Sequence, residues 1–137
     1  MAISFSKVNS FVENLAEKQI DLSGAALTIA LTNTAHTATW DELADLTEIS
    51  YTNLSARVLT VTTSSQTTGT YKLVLADKTL TASGGAVAEF RYIYIYDDDS
   101  TGDKLIGYYD YGSAVTMEDG DTFILDFDAS AGVITLA

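Results

Sequence analysis

Apolar and polar residues alternate along most of this chain in short stretches, which are separated by Gly, Ser, Asn and Asp. Alternation with a period of two is typical of β-strands that have one buried face. The stretch VAEFRYIYIY at 87–96 is the strongest example. The pattern predicts an all-β fold, a single β-sandwich or jelly-roll-like domain over residues 1–137. The predicted strands are 28–32, 57–62, 70–76, 87–96, 104–111, 122–128 and 133–136.

One short helix is predicted near the N-terminus. Its apolar stripe has helical spacing and consists of Val8, Phe11, Val12 and Leu15. A second helical turn is predicted to begin at Thr39, because Thr39 and Glu42 have the spacing of a capping box. We expect the first helix to pack across one end of the β-domain.

The strand at 87–96 carries most of the information about possible contacts. Strict alternation places Phe90, Tyr92, Tyr94 and Tyr96 on one face and Val87, Ile93 and Ile95 on the other. Glu89 and Arg91 lie near the start of the second face, but both faces are largely apolar, so we expect a central strand that is covered on both sides. Part of the tyrosine row is a candidate subunit contact, because tyrosine combines a large apolar body with a polar tip. The candidate interface residues are Tyr92, Tyr94, Tyr96, Tyr108, Tyr109 and Tyr111.

The net charge of the chain argues against some classes of binding partner. The net charge is −12, and residues 76–137 carry most of it. Such a surface repels phosphates, so neither a nucleic acid nor an anionic membrane is expected as a partner. The chain has no cysteine, which excludes disulfides and thiolate chemistry. The N-terminus lacks the apolar core of a secretory signal, and no apolar run reaches the length of a membrane span.

Few residues point to catalysis or to a cofactor. His36 is the single histidine, lies in a loop sequence and has no nucleophile motif nearby, so it is interpreted as a surface residue. The loop at 97–104, DDDSTGDK, matches the first half of a calcium-binding loop. The match fails at its twelfth position, where Tyr108 replaces the bidentate glutamate. We therefore expect a hairpin loop there, and no enzyme activity, no catalytic residue, no cofactor and no metal. A hydrolase that uses a pair of acids is the least favoured alternative.

The strand edges suggest self-association. The chain has no proline to protect open edges. The segments ALTIALT at 26–32 and RVLTVT at 57–62 carry at most one charge each, so they are candidates for pairing or burial. Residues 1–7 are only weakly patterned and are a candidate arm that reaches a neighbouring copy. Identical chains usually assemble with closed symmetry.

Several segments together resemble small virion structural proteins of tailed bacteriophages. They include LTIALTNTAHTAT, DELADLTEISY, SSQTTGTYKLVLAD, FRYIYIYDD and the ending DFDASAGVITLA. The resemblance covers most of the chain, and capsid decoration (cement) proteins are the role that it favours. It implies a homotrimer that is made in the host cytoplasm, binds the outer surface of the major capsid protein shell and stabilises the virion. A carbohydrate-binding module, or a tail- or fibre-associated one, is the alternative.

Overall fold

The structure is a computed structural model, and it describes residues 4–23 and 26–137. It contains 48% strand and 7% helix, so the predicted all-β class is confirmed, with β-sandwich-like character. The helix α1 spans Phe11–Ala16, and a 3₁₀ turn spans Leu43–Asp45. The strands are β1 Phe5–Lys7, β2 Leu27–Thr32, β3 Val61–Thr67, β4 Thr70–Leu75, β5 Lys78–Thr81, β6 Val87–Asp97, β7 Lys104–Met117, β8 Thr122–Leu125 and β9 Ile134–Leu136.

Three antiparallel sheets organise these strands. The largest has four strands in the order β1-β7-β6-β2. A three-stranded sheet has the order β3-β4-β9, and β5 pairs with β8 alone. The long hairpin of β6 and β7 therefore lies at the centre of the largest sheet, where Ile93 is opposite Tyr109 and Tyr94 is opposite Tyr108.

Both faces of β6 are buried, as its two-sided apolar pattern predicts. Ile93 and Tyr94 point to opposite faces of the sheet and are both fully buried. The predicted row of four aromatics is interrupted, however, by a register shift between Phe90 and Tyr92. Phe90 packs against Phe123 of β8 with the ring centroids 5.4 Å apart.

The N-terminal helix exists, but its buried face differs from the predicted stripe. Val8 and Phe11 are buried as predicted, whereas Val12 is 49% exposed. Leu15 is partly buried and packs against the core, and the polar Asn14 is buried as well, with its amide donating to Asp41 Oδ1 at 2.6 Å. This hydrogen bond to another segment satisfies a buried amide that helical spacing alone does not predict. Within the described residues, no helix is long and apolar enough to cross a membrane.

The N-terminal segment does not act as an arm where the structure describes it. β1 pairs with β7 of the same chain, with Phe5 opposite Tyr109 and Lys7 opposite Gly107. The ring of Phe5 packs on that of Tyr109 with a centroid distance of 5.3 Å. Residues 1–3 lie outside the described residues. The prediction of an arm at 1–7 is therefore wrong for Phe5–Lys7.

The predicted strand at 57–62 is divided between two partners. Its first half bonds to β2, since Ile29 N donates to Arg57 O at 3.1 Å and Leu59 N donates to Leu27 O at 2.8 Å. β3 begins only at Val61 and pairs with β4. The outer edge of β2 is consequently covered by its own chain, which accounts for the uncharged ALTIALT segment without a neighbouring copy.

Other boundaries differ from the prediction because short elements give little pattern. β1 and β5 were not predicted, since neither exceeds four residues. The second helical turn is the 3₁₀ turn, and its capping box joins Glu42 and Asp45, not Thr39 and Glu42. The Asp45 carboxylate accepts hydrogen bonds from the backbone N–H groups of Asp41 and Glu42 at 2.8 and 3.0 Å.

Candidate partner-binding groove

The six candidate interface tyrosines do not form one exposed row. The chain itself covers most of them: Tyr94 is fully buried, Tyr108 is half-buried and Tyr111 is 38% exposed. The buried members of the set are Tyr92, Tyr94, Tyr96 and Tyr109. Any contact that this set makes with another molecule must therefore rely on Tyr111 and on the partly exposed Tyr108.

Tyr94 is the centre of an aromatic cluster that holds the 33–40 loop on the sheet. The His36 ring stacks on Tyr108 with a centroid distance of 4.4 Å and meets Trp40 edge-on at 5.7 Å. Its Nδ1 lies 2.9 Å from the Tyr94 hydroxyl oxygen. Burial lowers the pKa of His36 and raises the pKa of Tyr94, because it disfavours the charged form of each. His36 is thus a partnered, half-buried residue and not a free surface histidine.

A groove lies beside the other two tyrosines. Tyr109 and Tyr111 of β7 line it together with β8 and the segment that follows β8, and its volume is about 890 Å³. Tyr109 packs on Phe127 at 6.2 Å between ring centroids, and Tyr111 packs on Phe123 at 5.4 Å. Ile124 is 61% exposed at the same place. The groove therefore combines an aromatic floor with an exposed aliphatic side chain.

Carboxylates surround this aromatic floor. Asp77, Asp126 and Asp128 line the groove, and no basic side chain is among its described lining residues. Asp77 accepts a hydrogen bond from Phe127 N at 2.9 Å, which fixes the segment after β8. Backbone donors from Ala131 and Ser130 lower the pKa of Asp128, so this carboxylate stays charged. Such a groove suits a partner that offers apolar side chains together with lysine or arginine.

The acidic loop after β6 is organised by its own hydrogen bonds. The Asp97 carboxylate is buried and accepts from Asp21 N at 2.9 Å and from Asp99 N at 3.1 Å. Burial and the neighbouring charges of Asp98 and Asp97 raise the pKa of Asp103. No group of three metal-binding side chains occurs among the residues that the structure describes. The loop is a hairpin connection between β6 and β7, as predicted.

A second polar cluster was not predicted from the sequence. Lys104 is buried at the start of β7, where its ammonium donates to Asp41 Oδ2 at 2.7 Å and to Glu42 Oε1 at 2.8 Å. Burial alone would raise the pKa of Asp41, but the hydrogen bonds from Lys104 and Asn14 outweigh it and leave that pKa below its ordinary value. The cluster joins α1, the 3₁₀ turn and β7. Such contacts over long sequence separations have no local signal in the sequence.

No protein-family model, curated protein or solved structure matches the chain significantly. The similarity to phage decoration proteins therefore stays an expectation based on the segments quoted above. The function must be argued from the groove and from the distribution of charge.

Proposed function

We propose that this protein is a structural binding protein, and specifically a phage capsid decoration protein that attaches to the outer surface of the major capsid protein shell. The observation that carries the proposal is the exposure of Tyr111 and Ile124 in the groove, beside the buried Tyr109. Large apolar side chains that stay partly exposed beside polar groups are typical of protein interfaces. The resemblance to phage decoration proteins further implies that the protein is located on the virion and assembles as three copies.

The chemistry of the groove specifies what it would bind. Exposed Ile124 and Tyr111 offer apolar area, and Asp126 and Asp128 offer negative charge at the rim. The corresponding surface of the shell would carry an apolar side chain flanked by lysine or arginine. Opposite charges at a rim mainly accelerate association and orient the partners, whereas the apolar centre supplies most of the affinity.

The experiment compares groove variants for binding to purified shells of the encoding phage from which the protein has been removed. The double variant Tyr111→Ala/Ile124→Ser should bind at least about tenfold more weakly, because both central apolar contacts are lost. The matched control is Val12→Ala/Val58→Ser, which changes two side chains that are similarly exposed elsewhere. Equal binding of the groove variant and the wild type would refute the groove as the contact. Absence of wild-type binding would refute the decoration role.

A carbohydrate-binding module is the second candidate, and the aromatic cluster of the 33–40 loop favours it. His36, Trp40 and Tyr108 keep part of their rings accessible, and aromatic faces stack on sugar rings. Binding to a panel of bacterial surface glycans that is abolished by Trp40→Ala, without any binding to shells, would establish this function instead. The groove variant would then bind glycans like the wild type.

A further inference from the structure

The strands of the three-stranded sheet contain no acidic residue, a property that they share with the β5–β8 pair. Strands β3, β4 and β9 contain one charged residue, Lys72, in a chain whose net charge is −12. The Lys72 ammonium already donates to Ser130 O at 2.8 Å. The exposed face of this sheet is formed mainly by hydroxyl side chains, namely Thr63, Ser65, Thr67, Thr70 and Thr135. Two strongly acidic copies meet less like-charge repulsion here than at their acidic turns.

Both edges of this sheet are open. In the sheet order β3-β4-β9, no strand among the described residues pairs with the outer side of β3 or of β9. An open edge presents unpaired backbone N–H and C=O groups, and proteins usually protect it with charge, proline or a bulge. β3 has a register shift between Val61 and Thr63, but from Thr63 to Thr67 it pairs regularly with β4 and carries neither charge nor proline. The edge of residues 63–67 can therefore accept another strand.

We propose that the edge of β3 in one copy pairs with the edge of β9 in a second copy, so that the sheets of successive copies join head to tail. β3 and β9 are both antiparallel to β4, so they run parallel to each other. A rotation about an axis along these strands carries one copy onto the next and keeps the strand direction. The resulting contact is a parallel β9–β3 pair, and repeating it closes a ring.

We propose a second copy of the chain as the partner because the edges of β3 and β9 are both uncharged. A basic partner would be attracted to the acidic groove and to the acidic turns, not to a sheet whose single charge is positive. A neutral, hydroxyl-rich edge matches another neutral edge, and β9 supplies one on the same chain: Ile134–Leu136 is uncharged, and Leu136 is 39% exposed. This inference does not depend on binding to a capsid.

Engineered disulfides test the pairing directly, because the natural chain has no cysteine. Ser65 and Thr135 lie on either side of Lys72 in the register of the sheet. They are separated by two strand spacings, roughly 10 Å. A disulfide needs Cα atoms within about 7 Å, so the variant Ser65→Cys/Thr135→Cys can form its bond only between copies. Cysteine at position 63 or 67, each combined with Thr135→Cys, covers the adjacent registers.

The expected result is that mild oxidation of at least one of these three double variants gives a closed covalent ring, seen as a ladder under denaturing conditions without reductant. Each single-cysteine variant should give dimers at most. The matched control is Thr37→Cys/Ser83→Cys, two exposed sites outside the sheet, which should give no ladder. If none of the three double variants forms a ladder beyond that of the control, the pairing is refuted.

Mass measurement by light scattering without capsids gives an independent readout. The wild type should be oligomeric at micromolar concentration, and Ser65→Lys should be monomeric, because lysine on an edge strand prevents edge pairing. The control Ser83→Lys adds the same charge elsewhere and should remain oligomeric. A monomeric wild type, or an oligomeric Ser65→Lys variant, would refute the inference. Binding of a monomeric protein to capsids would still be measurable, so attachment to the shell and the β9–β3 pairing fail separately, whereas the three-copy assembly would fail together with the pairing.

Discussion

The Nδ1 atom of His36 and the hydroxyl oxygen of Tyr94 lie 2.9 Å apart, although the residues are far apart in the sequence. Tyr94 is fully buried in the central strand, whereas His36 lies in the 33–40 loop. This hydrogen bond and the stacking of His36 on Tyr108 attach the loop to the sheet. The environment of the single histidine therefore reports on the attachment of the loop.

The first prediction concerns pH. Burial lowers the pKa of His36 below 6.5 in the folded chain, so the unfolded chain binds more protons in this range. The stabilisation that comes from the neutral form of His36 is fully present at pH values above the pKa of His36 in the unfolded chain. It is lost as the pH falls through the lower pKa of His36 in the folded chain. Urea midpoints should therefore decrease between about pH 7.5 and 5.5. The variant His36→Gln should lack this decrease. If its urea midpoint changed with pH as much as that of the wild type, the decrease could not be assigned to His36.

The second prediction concerns Tyr94. The variant Tyr94→Phe keeps the packing but loses the bond to His36, so the free energy of unfolding should fall by about 1 kcal/mol. The variant Tyr94→Asp buries a charge in the core and should not fold. Circular dichroism and urea unfolding would measure both effects. Normal stability of Tyr94→Asp would mean that the side chain is not enclosed.

The third prediction concerns Lys104. The variant Lys104→Met keeps the apolar stem but leaves Asp41 and Glu42 without their cation, so the free energy of unfolding should fall by about 1–3 kcal/mol. The control is Arg91→Met, which breaks the exposed pair with Asp110 and should not shift the urea midpoint measurably. If Lys104→Met and Arg91→Met lowered the free energy of unfolding equally, Lys104 could not be more buried than Arg91.

The fourth prediction concerns the pairing of β1. A Cβ atom at Gly107 would lie 2.6 Å from Ser6 O and would overlap the Phe5 ring. The variant Gly107→Ala should therefore displace β1 from β7. Hydrogen exchange should show lost protection at Phe5–Lys7, while the amides of β6 remain protected. Unchanged protection of β1 would indicate that the close approach is relieved in another way.

Sequence pattern predicted the parts of the fold that depend on local periodicity. The alternation at 87–96 predicted a strand covered on both faces, and β6 is that strand. The pattern could not reveal the register shift after Phe90, because a shift depends on the partner strand. It also could not divide 57–62 between β2 and β4, because both halves alternate equally well.

The candidate site was predicted only in part for a similar reason. Tyr109 and Tyr111 were selected because they are tyrosines near the aromatic strand, and both line the groove. Ile124 gives no such signal, since an isoleucine between Phe123 and Leu125 is expected to belong to the core. Exposure of Ile124 is determined by the fold around β8 and is not encoded in its neighbours along the sequence.

The position of β1 has a consequence for how the chain folds. Phe5 is made long before its partner Tyr109, and β6 remains exposed on one edge until β7 follows. Folding that depends on such distant pairings is slow, on the order of milliseconds to seconds for small β-proteins. Until β7 pairs with it, the apolar β6 presents an unpaired strand edge, a feature that favours aggregation. Stopped-flow refolding of the variant Gly107→Ala would show whether closure by β1 is the last step: if it is, the main refolding phase keeps its rate and only the unfolding rate rises.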